Sequence, residues 1–210
     1  QFAEHAKYFS QRGMVTILAD YRVSSRHDVK VINSISDGKT SIKWIKENAD
    51  LLGIDKNRIV ASGGSAGGHL AASTALLSQY DDSEEKNNKF NSIPSALILF
   101  NPGLNSTRER WIKDQNRIDR EGTNDYISIS PYHNLKNDSP STIIFHGTAD
   151  KTVPFSHAET FTKKSKELGN ECTLYAYENM EHGFFNFGRD NNGPFAVSYT
   201  HLRAHETRTN

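Results

Sequence analysis

Residues 59–72, Ile-Val-Ala-Ser-Gly-Gly-Ser-Ala-Gly-Gly-His-Leu-Ala-Ala, constrain this chain more than any other stretch. A short apolar run with β-branched residues meets a glycine-dense corner, and an alanine-rich segment of helical character follows. Gly63-x-Ser65-x-Gly67 sits on that corner, the pattern of a strand that turns at once into a helix and exposes a serine at the bend. Such a corner holds its central residue in a strained backbone conformation with the side chain thrown outward. The residues two before and two after the corner approach each other, and glycine at 63 and 67 avoids a Cβ clash there. The amide of Ala66, at the helix start, is then a free donor beside the Ser65 hydroxyl. A glycine-rich connection without chemistry also fits the five-residue pattern taken alone; the flanking strand and helix weigh against it.

In chain order, residues 2–12 carry Phe2, Ala6 and Phe9 at helical spacing, and Gly13 ends them. Residues 14–19 (Met-Val-Thr-Ile-Leu-Ala) predict a strand covered on both faces. Asp20-Tyr21-Arg22 closes it, and an irregular polar stretch runs to Ser36. Asp37 is suited to cap a helix in which Ile42, Ile45, Ala49 and Leu52 share a face, with Gly53 as its stop. Residues 79–91 read as a solvated connection. Further strands are predicted at 96–100, 142–145 and 174–177, with a helix over 155–168 ended by Gly169. Helices alternating with strands that are apolar throughout predict an α/β domain with a mostly parallel sheet.

The 210 residues suffice for one large domain with a real core. Lys plus Arg number 25 and Asp plus Glu number 25, a balance that argues against nucleic acid or an anionic membrane as the main partner. No apolar run approaches the roughly 20 residues a membrane span needs. The lone Cys172 excludes an internal disulfide and a cysteine-based metal cluster, and leaves the compartment open.

Ligands of parallel sheets bind beyond the carboxyl ends of the strands. Ser65 lies at one such end, Asp150 in the loop after the 142–145 strand, and His182 in the loop after the 174–177 strand. Three loops thus deliver a serine, a carboxylate and an imidazole to one edge, in the chain order Ser65, Asp150, His182. A serine hydroxyl is a poor nucleophile until a base takes its proton. Histidine suits that task near neutrality, and the carboxylate fixes its tautomer and stabilises the imidazolium. Asp150 and His182 also admit plainer readings, as a loop carboxylate and a packed loop histidine. His146, at the end of a strand, reads as a residue that orients the Asp150 loop. His69 and His133 are placed less well, and Asp20 and Asp37 precede the serine and break the order.

Gly-Gly-Ser65-Ala-Gly-Gly-His-Leu-Ala-Ala, Ala19-Asp-Tyr-Arg22, Phe145-His-Gly-Thr-Ala-Asp150 and Glu181-His-Gly-Phe-Phe185 together resemble the bacterial esterase/lipase group of α/β-hydrolases, related to hormone-sensitive lipase and to acetyl-esterases. The resemblance runs over roughly residues 2–196. It implies a three-layer α/β-hydrolase fold and hydrolysis of a carboxylic ester through an acyl-Ser65 intermediate. Asp150 and His182 complete the triad, the Ala66 amide lines the oxyanion hole, and neither cofactor nor metal is implied. The His-Gly-Gly-Gly motif that gives such enzymes further oxyanion donors is absent. It would precede Gln1, so the expectation is a partial hydrolase domain over 1–196 that lacks its early strands and, expressed as written, is insoluble or nearly inactive.

Residues 197–207 resemble the conceptual translation of a sequencing-library adapter, and 197–210 are set apart as a non-native tail. A metal-binding reading of His201 and His205 lacks a third ligand. Residues 103–130, with Trp111, are long enough for a partial lid or for a surface excursion. Phe184 and Phe185 either line an acyl pocket or pack under the histidine loop. Low mean hydropathy disfavours a true lipase. The expected substrate is a short acyl ester, acetyl above all, on a small alcohol or a carbohydrate. A serine peptidase on the same scaffold and a non-catalytic binding homologue are the two rivals.

Overall fold

The computed structural model describes residues 2–81, 90–107 and 123–189. The elements are α1 (Ala3–Ser10), α2 (Ser24–His27), α3 (Val31–Glu47), α4 (Ala49–Leu52), β1 (Val60–Gly64), α5 (Ala66–Leu76), β2 (Ala96–Phe100), β3 (Ser141–Gly147), α6 (Phe155–Glu167) and β4 (Cys172–Tyr177). The four strands form one parallel sheet in the order β1-β2-β3-β4.

Strand side chains alternate between faces, so each strand needs apolar residues at every position to be covered twice. Leu97, Leu99 and Ile144 join Ala71, Ala72, Ala75 and Leu76 of α5 and Ala158 and Phe161 of α6 in one core. Ile98, Phe100, Ile143 and Phe145 turn the other way and pack with Phe2, Phe9, Phe184 and Phe185. Helices α5 and α6 therefore cover one face and α1 the other, which makes three layers. Helix α3 lies outside α5. Its Ile35 packs with Leu70 and Leu77, and its buried Lys39 donates to the carbonyl of Thr74 (3.3 Å) and to Ser92 Oγ (3.1 Å). No helix among the described residues is long and apolar enough to cross a membrane.

The expected strand over 14–19 is not formed. Those residues enter no ladder, and Val15 and Leu18 stand 53% and 60% exposed. Apolar composition tells what a segment gains from burial, but a strand also needs a neighbour for its backbone groups. Among the described residues no strand runs beside it. The polar stretch before Ser36 is less irregular than expected: it holds α2 and the start of α3. Asp37 caps nothing, because it lies well inside α3 and is held by Arg22, whose backbone N–H (3.0 Å) and guanidinium (2.6 Å) both donate to it. The helix begins instead where the Asn33 side chain accepts the N–H of Lys30 (3.0 Å). Nor does it run through to Gly53, for α3 ends at Glu47 and α4 forms a separate turn before Gly53 at φ +66°.

The flanks of the 103–130 segment belong to the core. Leu104 is fully buried against α5, and Tyr126 and Ile129 pack with Leu70 and Leu77. The lid expectation falls on residues 108–122, the tail on 197–210, and both lie outside the described residues, as do His201 and His205.

Candidate active site

Strand β1 ends at Gly64 and α5 begins at Ala66, so Ser65 alone makes the corner. Its backbone sits at φ +55°, ψ −117°, a region that L-residues avoid. Hydrogen bonds to the end of β2, the loop after it and the first turn of α5 hold it there. Ser65 N–H donates to the Phe100 carbonyl (2.9 Å), and the Ser65 carbonyl accepts from His69 N–H (3.0 Å) and Gly103 N–H (3.3 Å). Ala66 is the first residue of α5, where the N–H has no intrahelical acceptor and the helix dipole presents its positive end.

Of the two glycines the sequence pattern names, the corner needs Gly63 and not Gly67, and it needs Gly68 besides. A Cβ at 63 would overlap the Gly67 carbonyl, and one at 68 would come within 2.9 Å of Pro102 Cβ. A Cβ at 67 would meet only Tyr21 Oη at 4.0 Å, an ordinary contact. Gly67→Ala is therefore expected to keep or raise stability, by up to about 1 kcal/mol for a helical glycine. Gly63→Ala is expected to lose about 1–3 kcal/mol or more from overpacking. Urea midpoints of the two variants check this, and a Gly67→Ala midpoint as low as that of Gly63→Ala would refute it.

Strand β3 carries the acid loop. Asp150 is buried, and its Oδ1 accepts the backbone N–H groups of Thr152 and Val153 (both 2.8 Å). Its Oδ2 faces His182 Nδ1 at 2.7 Å, and His182 Nε2 lies 2.9 Å from Ser65 Oγ. With the carboxylate on one ring nitrogen, the proton belongs on Nδ1 and Nε2 is left to accept from the serine hydroxyl. Burial pushes the Asp150 carboxyl up. Hydrogen bonds from His146, His182 and the Val153 amide more than reverse that and hold it well below the usual carboxylate range.

The loop after β4 brings the imidazole to the serine. Gly183 at φ +80° turns it, Arg189 Nη1 donates to the His182 carbonyl (2.7 Å), and Phe184 and Phe185 anchor it from beneath. Those two rings are 1% and 0% exposed, so they pack under the loop and line no pocket. The structure brings Ser65, Asp150 and His182 into one hydrogen-bonded line, with Ala66 at its serine end.

The other candidates lie elsewhere. His146 is fully buried and its Nε2–H donates to the Val153 carbonyl (3.0 Å), within the acid loop it was expected to orient. His69 bonds the Ile129 carbonyl (2.7 Å) and His133 bonds Ser130 Oγ (2.9 Å). Asp20 pairs with Arg26 and Asp37 with Arg22. Sequence reasoning missed Asn101, whose side chain reaches Asp150 Oδ2 at 2.5 Å. The available signal was a polar residue placed directly after a buried strand, at the edge where the three candidate loops meet.

Several of the proteins this chain is similar to are esterases by name. Esterase LipC of Mycobacterium tuberculosis is 27% identical over 198 residues, covering 88% of this chain and 49% of LipC. The acetylxylan esterase of Xylanibacter ruminicola is 24% identical, covering 84% of this chain and 36% of its own length. The chain thus spans about half or less of these curated relatives. Among solved structures, the propionate-bound esterase of Thermogutta terrifontis superimposes with a TM-score of 0.91 at 43% identity, over 100% of this chain and 77% of that one. The dienelactone hydrolase family matches residues 126–209. The BD-FAE family matches residues 1–165, a range that takes in the strained corner, the acid loop and the sheet between them, and the chain belongs to that family, on a three-layer α/β-hydrolase fold.

Proposed function

We propose that this chain is the catalytic part of a serine carboxylic-ester hydrolase in which Ser65 is the nucleophile, His182 the general base and acid, Asp150 its orienting carboxylate and the Ala66 amide an oxyanion donor. The observation that carries this reading is the continuous line of two short hydrogen bonds, Asp150 Oδ2 to His182 Nδ1 and His182 Nε2 to Ser65 Oγ. As Oγ attacks the ester carbonyl carbon, its proton moves to Nε2 and the carbonyl oxygen gains charge beside the Ala66 N–H at the positive end of α5. The imidazolium then protonates the departing alcohol, and a water activated by the same imidazole releases the acid and restores Ser65. Asp150 stays ionised throughout.

The acyl group is short, acetyl above all, and the alcohol is a small molecule or a carbohydrate. Propionate in the similar solved structure and the acetylxylan esterase among the relatives support that choice. A fluorophosphonate probe is expected to label Ser65, weakly at most in the 210-residue chain and fully in the protein encoded by the full reading frame of its gene, and to fail on Ser65→Ala. Hydrolysis of p-nitrophenyl acetate is expected to exceed that of the octanoate, and acetylated xylo-oligosaccharides to release acetate. Absence of labelling in both proteins sinks the enzyme and favours a binding homologue; turnover of peptides in place of esters favours a peptidase.

A further inference from the structure

Asn101 follows β2 directly, is fully buried, and sits at φ +41°, in the left-handed region where asparagine is enriched among non-glycine residues. Its backbone N–H extends the ladder by donating to the Phe145 carbonyl (2.8 Å). Its side chain spans the acid loop, for Nδ2–H donates to Asp150 Oδ2 (2.5 Å) and Oδ1 accepts the N–H of Gly147 (3.4 Å). The residues on either side of it grip the corner. The Phe100 carbonyl takes the N–H of Ser65, and Gly103 N–H donates to the carbonyl of Ser65. One four-residue stretch, 100–103, therefore ties the strained serine to the buried carboxylate.

We propose that Asn101 is a positioning residue of the hydrolytic site, fixing Asp150 Oδ2 on the imidazole and withdrawing charge from it. The proposal rests on the triad reading given above. Asp150 Oδ1 is anchored by two backbone amides; Oδ2, the oxygen that meets His182, has Asn101 as its close donor besides the imidazole. His146 Nε2 is a second, longer donor at 3.4 Å from Oδ2, its one N–H shared with the Val153 carbonyl at 3.0 Å. Without the amide, Oδ2 is left, among the described residues, with that longer shared contact and the ring it is meant to orient. The same N–H shares the charge of Oδ2, so removing it leaves a more negative partner for the imidazolium.

Asn101→Gly tests this without disturbing the backbone, because glycine adopts φ +41° freely. The expected result is a fall of about 10²-fold in kcat with KM unchanged, the scale of a catalytic group held loosely. The acid limb of the pH profile is expected to move to higher pH. Asn101→Asp has the same shape, and two buried carboxyls this close share a proton, so the protonated Asn101→Asp side chain donates to Oδ2 as the amide does and this variant should stay nearer the native rate and limb than Asn101→Gly. The other ionisable groups near the ring are common to all forms: His146, Arg189 on the His182 carbonyl, and the exposed Glu181. Native rates in both variants, or a lost rate with an unmoved acid limb, overturn the role of Asn101. Fluorophosphonate labelling of the unsubstituted protein keeps the two readings apart. An unlabelled parent sinks the triad reading, whereas a labelled parent with indifferent variants sinks only this one.

Discussion

Ser65→Gly is expected to abolish turnover while making the protein harder to unfold than Ser65→Ala does. In the proposed mechanism Ser65 is the nucleophile, so its loss removes the acylation route, and kcat should fall by about 10⁶-fold in either variant. Stability separates the two. At φ +55°, ψ −117° any side chain with a Cβ is strained, at a cost of about 1–3 kcal/mol. Alanine keeps that strain and glycine releases it, offset by about 0.5–1 kcal/mol from the extra freedom of glycine in the unfolded chain. A net gain of about 1 kcal/mol for Ser65→Gly over Ser65→Ala corresponds to about 2–4 °C in melting temperature for a chain of this size. Paired thermal melts with an ester assay check both halves. Equal melting temperatures would mean that the hydrogen bonds Ser65 makes with the Phe100 carbonyl and with the His69 and Gly103 amides define the corner without strain.

What the sequence could and could not disclose follows from the range of the forces involved. The corner at Ser65 was legible because strand, glycine and helix are adjacent in the chain, and local sterics alone dictate the turn. Asp150 and His182 were legible because each stands directly after a strand whose apolar run announces a parallel sheet, and such sheets gather their loop ends at one edge. Residues 14–19 read as a strand for the same compositional reason, yet Leu18 stands exposed, because pairing depends on a partner that composition does not encode. Asp37 looked like a cap because caps are local. Its actual partner, Arg22, is 15 residues away and outcompetes that role with a bidentate ion pair. The glycine requirement at 68 was hidden in the same way, since Pro102 reaches it from another loop. Asn101 is the extreme case. Its backbone twist, its burial and its contact with Asp150 all arise from tertiary packing, and asparagine after a strand is common in plain turns.

Asp150→Asn is expected to lower kcat by about 10⁴-fold with little change in KM, since position 150 touches the imidazole and not the ester. An asparagine of the same shape still accepts from Thr152 and Val153 through its carbonyl oxygen. Its amide nitrogen then faces His182 Nδ1, which must become an acceptor. The ring proton moves to Nε2, and Nε2 can no longer take the proton of Ser65. The new amide also points a donor at Asn101 Nδ2, leaving a buried donor unpaired at about 1–3 kcal/mol. The stability loss carries its own pH signature. Because the folded protein holds the Asp150 carboxyl below its unfolded value, the native residue contributes stability at pH above about 4, the unfolded carboxylate range, and that contribution shrinks as pH falls further. Urea midpoints of the native and Asp150→Asn proteins should therefore differ most near neutrality and converge in acid. A gap that stayed constant down to acid pH would show that the buried carboxylate is not held in its charged form, and the orienting role assigned to it would fail with that result.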